Sequence, residues 1–151
     1  MVKKKFLIIA SKSRSLVNFR LSFMLSLIER NVEVHAAAPD FKAEIVSKLN
    51  SLGIETHSMV LNRTGLNPIF DAFTFANLFL LMRSLKPDYF MGYTIKPVIY
   101  GSFAAWLSGV PRRFALITGL GYAFSQETDQ RSWVKHIVCL LYTSDAADDR
   151  V

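Results

Sequence analysis

The chain has 151 residues, 51% of them hydrophobic, which is enough for one domain with a substantial core. Its formal net charge of +6 makes an anionic partner a candidate, but the charges are scattered and the one run is Lys3, Lys4 and Lys5. A single cysteine, Cys139, excludes a disulfide framework and a cysteine-ligated metal site, and His35, His57 and His136 lack ligand spacing, so no metal is expected.

The lysine run leads into five apolar residues, 6–10, too few for the core of a signal peptide, so a cytoplasmic start with a buried first strand is expected. No stretch approaches the roughly 20 apolar residues that span a bilayer. Residues 6–10 form a continuous apolar run, the pattern of a strand covered on both faces. After a polar loop, Leu16, Phe19, Phe23, Leu27 and Ile28 recur at helical spacing, with Asn31 as the stop. A second strand follows over 32–38, an amphipathic helix over 41–52 closed by Gly53, and a third strand over 54–60. The turn-rich loop LNRTGLNP then precedes a long helix over 69–85 ended by Pro87. Strand four is expected over 89–91, a loop with Lys96 next, a helix over 98–108, and strand five over 114–117. Pro97 suits the first turn of that helix, where its missing N–H has no helical partner. A further helix is expected to begin near 133–141.

This alternation predicts βαβ units and a Rossmann-like, doubly wound parallel sheet of the α/β class. Ligands then bind where loops leave the strand C-termini, here residues 11–15, the Pro39 region, 62–67, 93–96 and 118–122. The first loop, SKSRSLVNFR, sets three hydroxyls and two cations before a helix, a natural place for a phosphate. The plainer reading makes Ser15 an N-cap and leaves Lys12 and Arg14 solvated. No G-x-G-x-x-G follows strand one, which argues against a classical dinucleotide site. Lys96 is read as a cation for a phosphate or sugar hydroxyl, or else as an ordinary exposed lysine. Gly119 and Gly121 would let backbone N–H groups approach a ligand, or simply make a tight turn. His35 and His57 are read as structural. The helix over 69–85 is apolar around most of its circumference, so a second burial is expected, in the core, on another domain or subunit, or on an anionic membrane surface.

Taken together, SLVNFR, VEVHAAAPD, LNRTGLNP, LKPDYFMGYTIKPVIYGSFAAWLSGVP and ITGLGYAF resemble the N-terminal domain of family 4 glycosyltransferases of the kind that build capsule, O-antigen or exopolysaccharide units. The resemblance runs from about Lys5 to Phe124. It implies the N-terminal half of a GT-B fold, which receives a glycan acceptor that is often linked to lipid diphosphate. A missing C-terminal domain would bind most of the nucleotide-sugar donor. Transfer would be retaining and metal-independent, of a hexosyl or N-acetylhexosaminyl unit, with the donor as a substrate, no cofactor and no nucleic-acid partner. The location implied is cytoplasmic, peripheral on the inner membrane face. By position, Ser15, Asn18 and Arg20 would lie near the donor phosphates or acceptor, Thr94 and Lys96 would face the cleft, and Thr118, Gly119 and Tyr122 would line the sugar site, with Gly121 in the same loop. Many members place a histidine where this chain has Thr118, so the catalytic residues stay unassigned.

Residues 139–149, CLLYTSDAADD, resemble the translation of a transposase-type sequencing adapter. The expected organisation is therefore a domain over 1–138, incomplete at its end and inactive alone, and an artefactual tail over 139–151. Without that tail the net charge rises to +8. The rival from another class is a non-enzymatic flavodoxin-like binding domain. A receiver domain would need an acidic pair after strand one, where Ser11 and Lys12 stand, and an aspartate at the end of strand three, where the chain reads Val60, Leu61, Asn62. A nucleotide-sugar epimerase is disfavoured by the absent glycine fingerprint.

Overall fold

The computed structural model describes residues 2–62, 65 and 67–117. Its elements, all within the compact unit Met1–Leu116, are β1 (Lys5–Ala10), α1 (Ser13–Ser15), a π-helical turn (Leu16–Arg20), α2 (Leu21–Glu29), β2 (Glu33–Ala38), α3 (Ala43–Ser51), β3 (Ile54–Ser58), α4 (Pro68–Leu85), β4 (Tyr89–Tyr93), α5 (Ile95–Leu107) and β5 (Arg112–Leu116). The expected helix near 133–141 and the loop over 118–122 lie outside the described residues.

The five strands are all parallel in the order β3-β2-β1-β4-β5. The fold is thus the expected doubly wound, Rossmann-like sheet. The continuous apolar run of β1 explains its central place, since a middle strand must be apolar on both faces. Phe6 and Ile8 face one core with Leu16, Met24, Val34 and Leu49. Leu7 and Ile9 face the other with Leu78, Met82, Phe90, Ala104 and Ala105. Each fully buried Leu or Ile contributes about 1.5–3 kcal/mol, so the two half-cores together hold the helices on the sheet.

The helix ends follow local chemistry. Asn31 (φ 62°), Gly53 (φ 84°) and Lys86 (φ 51°) adopt left-handed conformations that end α2, α3 and α4. Asn67 caps α4 by accepting the Ile69 N–H at 3.1 Å, and Pro68 opens the helix.

Two expectations change. The loop over 93–96 shrinks to Thr94, because β4 continues through Tyr93 and α5 starts at Ile95. Gly92 makes this possible: a Cβ there would lie 2.8 Å from Val98 Cα, so the helix backbone rests directly on the strand. The second correction concerns α4, which is not sunk in the core. It buries one stripe, Thr74, Leu78 and Met82, while Ile69, Phe70, Phe73 and Leu80 are exposed. By length and composition α4, with a mean hydropathy of 1.2 over 18 residues, meets the minimum for crossing a membrane. Its buried stripe places it instead as a flank of the sheet.

Candidate functional site

Strand order reverses between β1 and β4, with Ala10 beside Tyr93 in the register. The C-terminal ends of these two strands mark the switch point, where sheets of this kind place their ligand crevice. Ser11 and Thr94 form its floor, joined by a hydrogen bond from Thr94 Oγ1 to Ser11 Oγ at 3.0 Å. Thr94 has φ 79° and ψ 163°. That region is costly for a β-branched residue, on the order of 1–3 kcal/mol, and is held here by the surrounding bonds. Its N–H donates to Leu116 O at 3.2 Å and its carbonyl accepts from Val98 N–H at 3.0 Å.

One wall is the segment SLVNFR, in which Leu16–Arg20 forms the π-helical turn. Such turns insert an extra residue into a helix and redirect the side chains after it. Leu16 stays fully buried in the core while Arg20 comes over the ring of Tyr93, its guanidinium carbon 4.9 Å from the ring centroid. Cation–π contact of this kind contributes about 0.5–2 kcal/mol. Among the described residues, Arg20 Nε is buried without a hydrogen-bond partner, while its Nη1 donates to Phe19 O at 3.5 Å. Asn18 is exposed on the same turn.

Ser15 stands at the N-cap of the π-helical turn but makes no capping bond; its hydroxyl donates to Lys12 O at 2.7 Å. The expected phosphate seat at the helix start is already occupied by protein. Asp40, just after β2, accepts the Ser13 N–H at 2.7 Å, and the Ser13 hydroxyl donates to Asp40 O at 3.0 Å. A phosphate there would meet the Asp40 carboxylate. Lys12 and Arg14 are exposed, in line with the plainer reading.

Lys96 is likewise not an open cation. Its Nζ donates to Asn62 O at 2.6 Å and Gly65 O at 2.8 Å, and lies 3.4 Å from Asp71 Oδ1. It therefore positions the loop between β3 and α4 rather than presenting a charge to the crevice. Beside it, burial and a hydrogen bond to Asp71 push the Tyr100 phenol up to about 12.

Thr118, Gly119, Gly121 and Tyr122 lie outside the described residues, as do Arg63, Thr64 and Leu66 of the LNRTGLNP loop. Of the expected site residues, Arg20 lies over Tyr93 and Thr94 bonds Ser11 at the ends of β4 and β1, while Ser15 bonds back to Lys12 and Asn18 is exposed. Sequence reasoning missed Asp40 and Tyr93. Asp40 falls in the Pro39 region named above without a role of its own, though an acidic side chain straight after a strand can accept from the N–H groups of a neighbouring helix start. Tyr93 was assigned to a loop.

A helical wall beside the crevice is apolar. The β3–α4 connection starts at the strand C-termini, so the first turns of α4 lie at the same edge of the sheet. Pro68, Ile69, Ala72, Phe73 and Ala76 line a shallow apolar groove there. Phe75, Phe103 and Trp106 continue the apolar surface onto α5, with ring centroids 5.4 Å and 5.8 Å apart in sequence. A second pocket, lined by Arg83, Lys86, Asp88 and Ser108–Pro111, lies at the opposite edge, where α4 and α5 end.

Comparison with known proteins agrees with this fold. The profile of the "Glycosyl transferase 4-like" family matches residues 6–148, which takes in part of the segment set apart as a tail. A curated relative from Campylobacter jejuni is 28% identical over 128 residues, covering 85% of this chain and 34% of its own length. It is described as an N,N'-diacetylbacillosaminyl-diphospho-undecaprenol alpha-1,3-N-acetylgalactosaminyltransferase. Among solved structures, Acinetobacter baumannii MurG superposes with a TM-score of 0.57 at 20% identity, covering 74% of this chain and 34% of that one. A putative UDP-N-acetylglucosamine 2-epimerase from Listeria monocytogenes gives 0.58 at 12% identity, covering 89% and 37%. These likenesses show the fold, the Rossmann-like half of a GT-B architecture. The chain spans about a third of the length of these relatives. The match over nearly the whole chain establishes the family: this protein belongs to the glycosyl transferase 4-like family.

Proposed function

We propose that this domain is the acceptor side of a glycosyltransferase that moves a hexosyl or N-acetylhexosaminyl unit from a nucleotide-sugar to a lipid-diphosphate-linked glycan. The observation that carries it is Arg20, held over Tyr93 at the switch point with an unpaired Nε. A guanidinium offers paired donors that match phosphate oxygens, and it keeps its charge at any physiological pH. Thr94 and Ser11 beside it supply hydroxyls for a sugar. The apolar surface of α4 at the same edge suits a polyprenyl chain, or the leaflet that carries it. The Campylobacter relative, whose acceptor is a diphospho-undecaprenol by its description, supports this class of acceptor.

In this reading the domain binds and orients the acceptor. The donor sits in a second Rossmann-like domain, and transfer is retaining, metal-independent and part of capsule, O-antigen or exopolysaccharide synthesis. The protein works at the cytoplasmic membrane face, helped by its charge of +6 on an anionic leaflet. Alone, the domain binds without transferring.

The test is transfer of labelled sugar to a polyprenyl-diphosphate acceptor by the enzyme that carries this domain. Arg20→Ala should lower kcat/KM by about 10²-fold or more, the scale of one lost charge-assisted contact made without replacement. Arg20→Lys should recover part of it. Unchanged kcat/KM in Arg20→Ala removes the residue from the site and the proposal with it.

A further inference from the structure

Parallel pairing of β2 with β3 brings together residues that look unrelated in sequence. His35 is in register with Glu55 and Ala37 with His57, so His35, Glu55 and His57 project from one face of the sheet. His35 Nδ1 lies 3.0 Å from His57 Nε2 and 3.5 Å from Glu55 Oε2, and His57 Nε2 lies 3.9 Å from Glu55 Oε1. On the far side of the His35 ring, Nε2 is 2.8 Å from Glu33 Oε1.

The proton count makes this cluster unusual. With Glu33 accepting the Nε2 proton, the neutral ring's lone pair is on Nδ1, facing His57 and Glu55. His57 Nε2–H can donate to that lone pair. Glu55 then aims a carboxylate at the same point and has no proton from His35 to accept. Two imidazole nitrogens and a carboxylate thus converge on one point beside a fully buried ring. Such a convergence of donor atoms suits a cation at its centre.

The geometry fits one. Ligand bonds of about 2.0–2.2 Å in a tetrahedral zinc site put neighbouring donor atoms about 3.3–3.5 Å apart. The two imidazole nitrogens are 3.0 Å apart, and the Glu55 carboxylate comes within 3.5 Å of His35 Nδ1 by Oε2 and 3.9 Å of His57 Nε2 by Oε1, so a small turn of this exposed side chain brings one oxygen into range of both. All three donors lie within 4.8 Å of one another. A carboxylate behind a metal-binding imidazole, the place of Glu33, orients the ring and raises its basicity. We propose that His35, His57 and Glu55 form a zinc site that ties the edge strand β3 to β2, with Glu33 as the positioning carboxylate.

On binding, zinc takes the His35 Nδ1 and His57 Nε2 lone pairs and a Glu55 oxygen. The His57 proton moves from Nε2 to Nδ1, so no net proton leaves the protein. Solvent completes the shell, since the Glu55 side chain is 64% exposed. Lys5 Nζ, 4.0 Å from Glu33 Oε1, is the nearby cation, on the far side from the three donors. The site acts in the sheet rather than in glycosyl transfer, and its standing is independent of the function proposed above.

The experiment is titration of the EDTA-stripped full chain with Zn²⁺ and, as a spectroscopic probe, Co²⁺. Expected are one tight equivalent, visible ligand-field bands with Co²⁺, and a Zn²⁺-dependent rise in Tm. Glu55→Gln and His57→Gln, both at the sheet edge where folding tolerates them, should each weaken binding at least about tenfold, and Glu33→Gln about 10–100-fold. Circular dichroism on each variant separates lost ligation from lost folding, and ¹⁵N imidazole shifts of His35 and His57 on Zn²⁺ addition report the ligands directly. No binding by wild type overturns the proposal. Binding that survives Glu55→Gln/His57→Gln, with unshifted imidazole nitrogens, overturns it as well.

Discussion

Lys96→Met is the most informative single change, because it separates a positioning lysine from a ligand-binding one. The native ammonium holds two carbonyls at 2.6 and 2.8 Å and faces the Asp71 carboxylate at 3.4 Å, with side-chain exposures of 16% for Lys96 and 13% for Asp71. Breaking a buried ion pair by removing one partner costs about 3–5 kcal/mol. Two features reduce that here. Tyr100 still donates a hydrogen bond to Asp71, and the loop carbonyls can turn to water. The expected loss is about 2–4 kcal/mol, read as a lower urea midpoint at unchanged slope. In a double-mutant cycle with Asp71→Asn the pair should couple by about 1–2 kcal/mol. A loss below about 0.5 kcal/mol, with no coupling, would mean a solvated lysine and would refute the reasoning.

Other consequences follow from named contacts. Gly101→Ala puts a Cβ 2.5 Å from Phe90 Cζ, so it should cost about 1–3 kcal/mol, partly recovered by Phe90→Leu; a neutral Gly101→Ala would show that α5 sits farther from β4 than described. Asp40→Ala removes the acceptor for the Ser13 N–H and should cost about 0.5–2 kcal/mol in chemical unfolding, with Asp40→Asn retaining much of it. Tyr100 should titrate at about 12 against an ordinary 10.0. Because its folded-state value is raised, its share of stability is full below pH 10 and is lost as pH rises through about 12; Asp71→Asn should bring the phenolate absorbance transition down, and an unmoved transition would exclude the hydrogen bond.

What could be read from the sequence was what local chemistry decides. Residues 6–10 had to be a central strand because nothing in them is polar, and Asn31 and Gly53 had to stop helices because left-handed backbone is cheap there. Alternating strands and helices then set the sheet, and with it the edge that holds the site. What escaped depends on distant residues. LVNFR carries no local sign of a π turn; the extra residue appears where Leu16 stays in the core and Arg20 reaches Tyr93. A threonine at positive φ runs against its own preference and exists because Gly92 lets α5 crowd the end of β4. The partners of Lys96 lie 25, 31 and 34 residues away. His35 and His57 looked unrelated because the register joining β2 to β3 is invisible in a spacing rule.

The central claim, that a lipid-diphosphate sugar docks at the crevice between β1 and β4, can be tested on this chain directly. Amide NMR spectra are recorded while a short-chain, water-soluble polyprenyl-diphosphate sugar is added. The account predicts saturable shifts at Ser11, Arg20, Tyr93 and Thr94, extending to Ile69 and Phe73 as the prenyl chain lengthens, and lost in Arg20→Ala. Shifts confined to the opposite edge, around Arg83, Lys86 and Gly109, or none at saturating ligand, would contradict it.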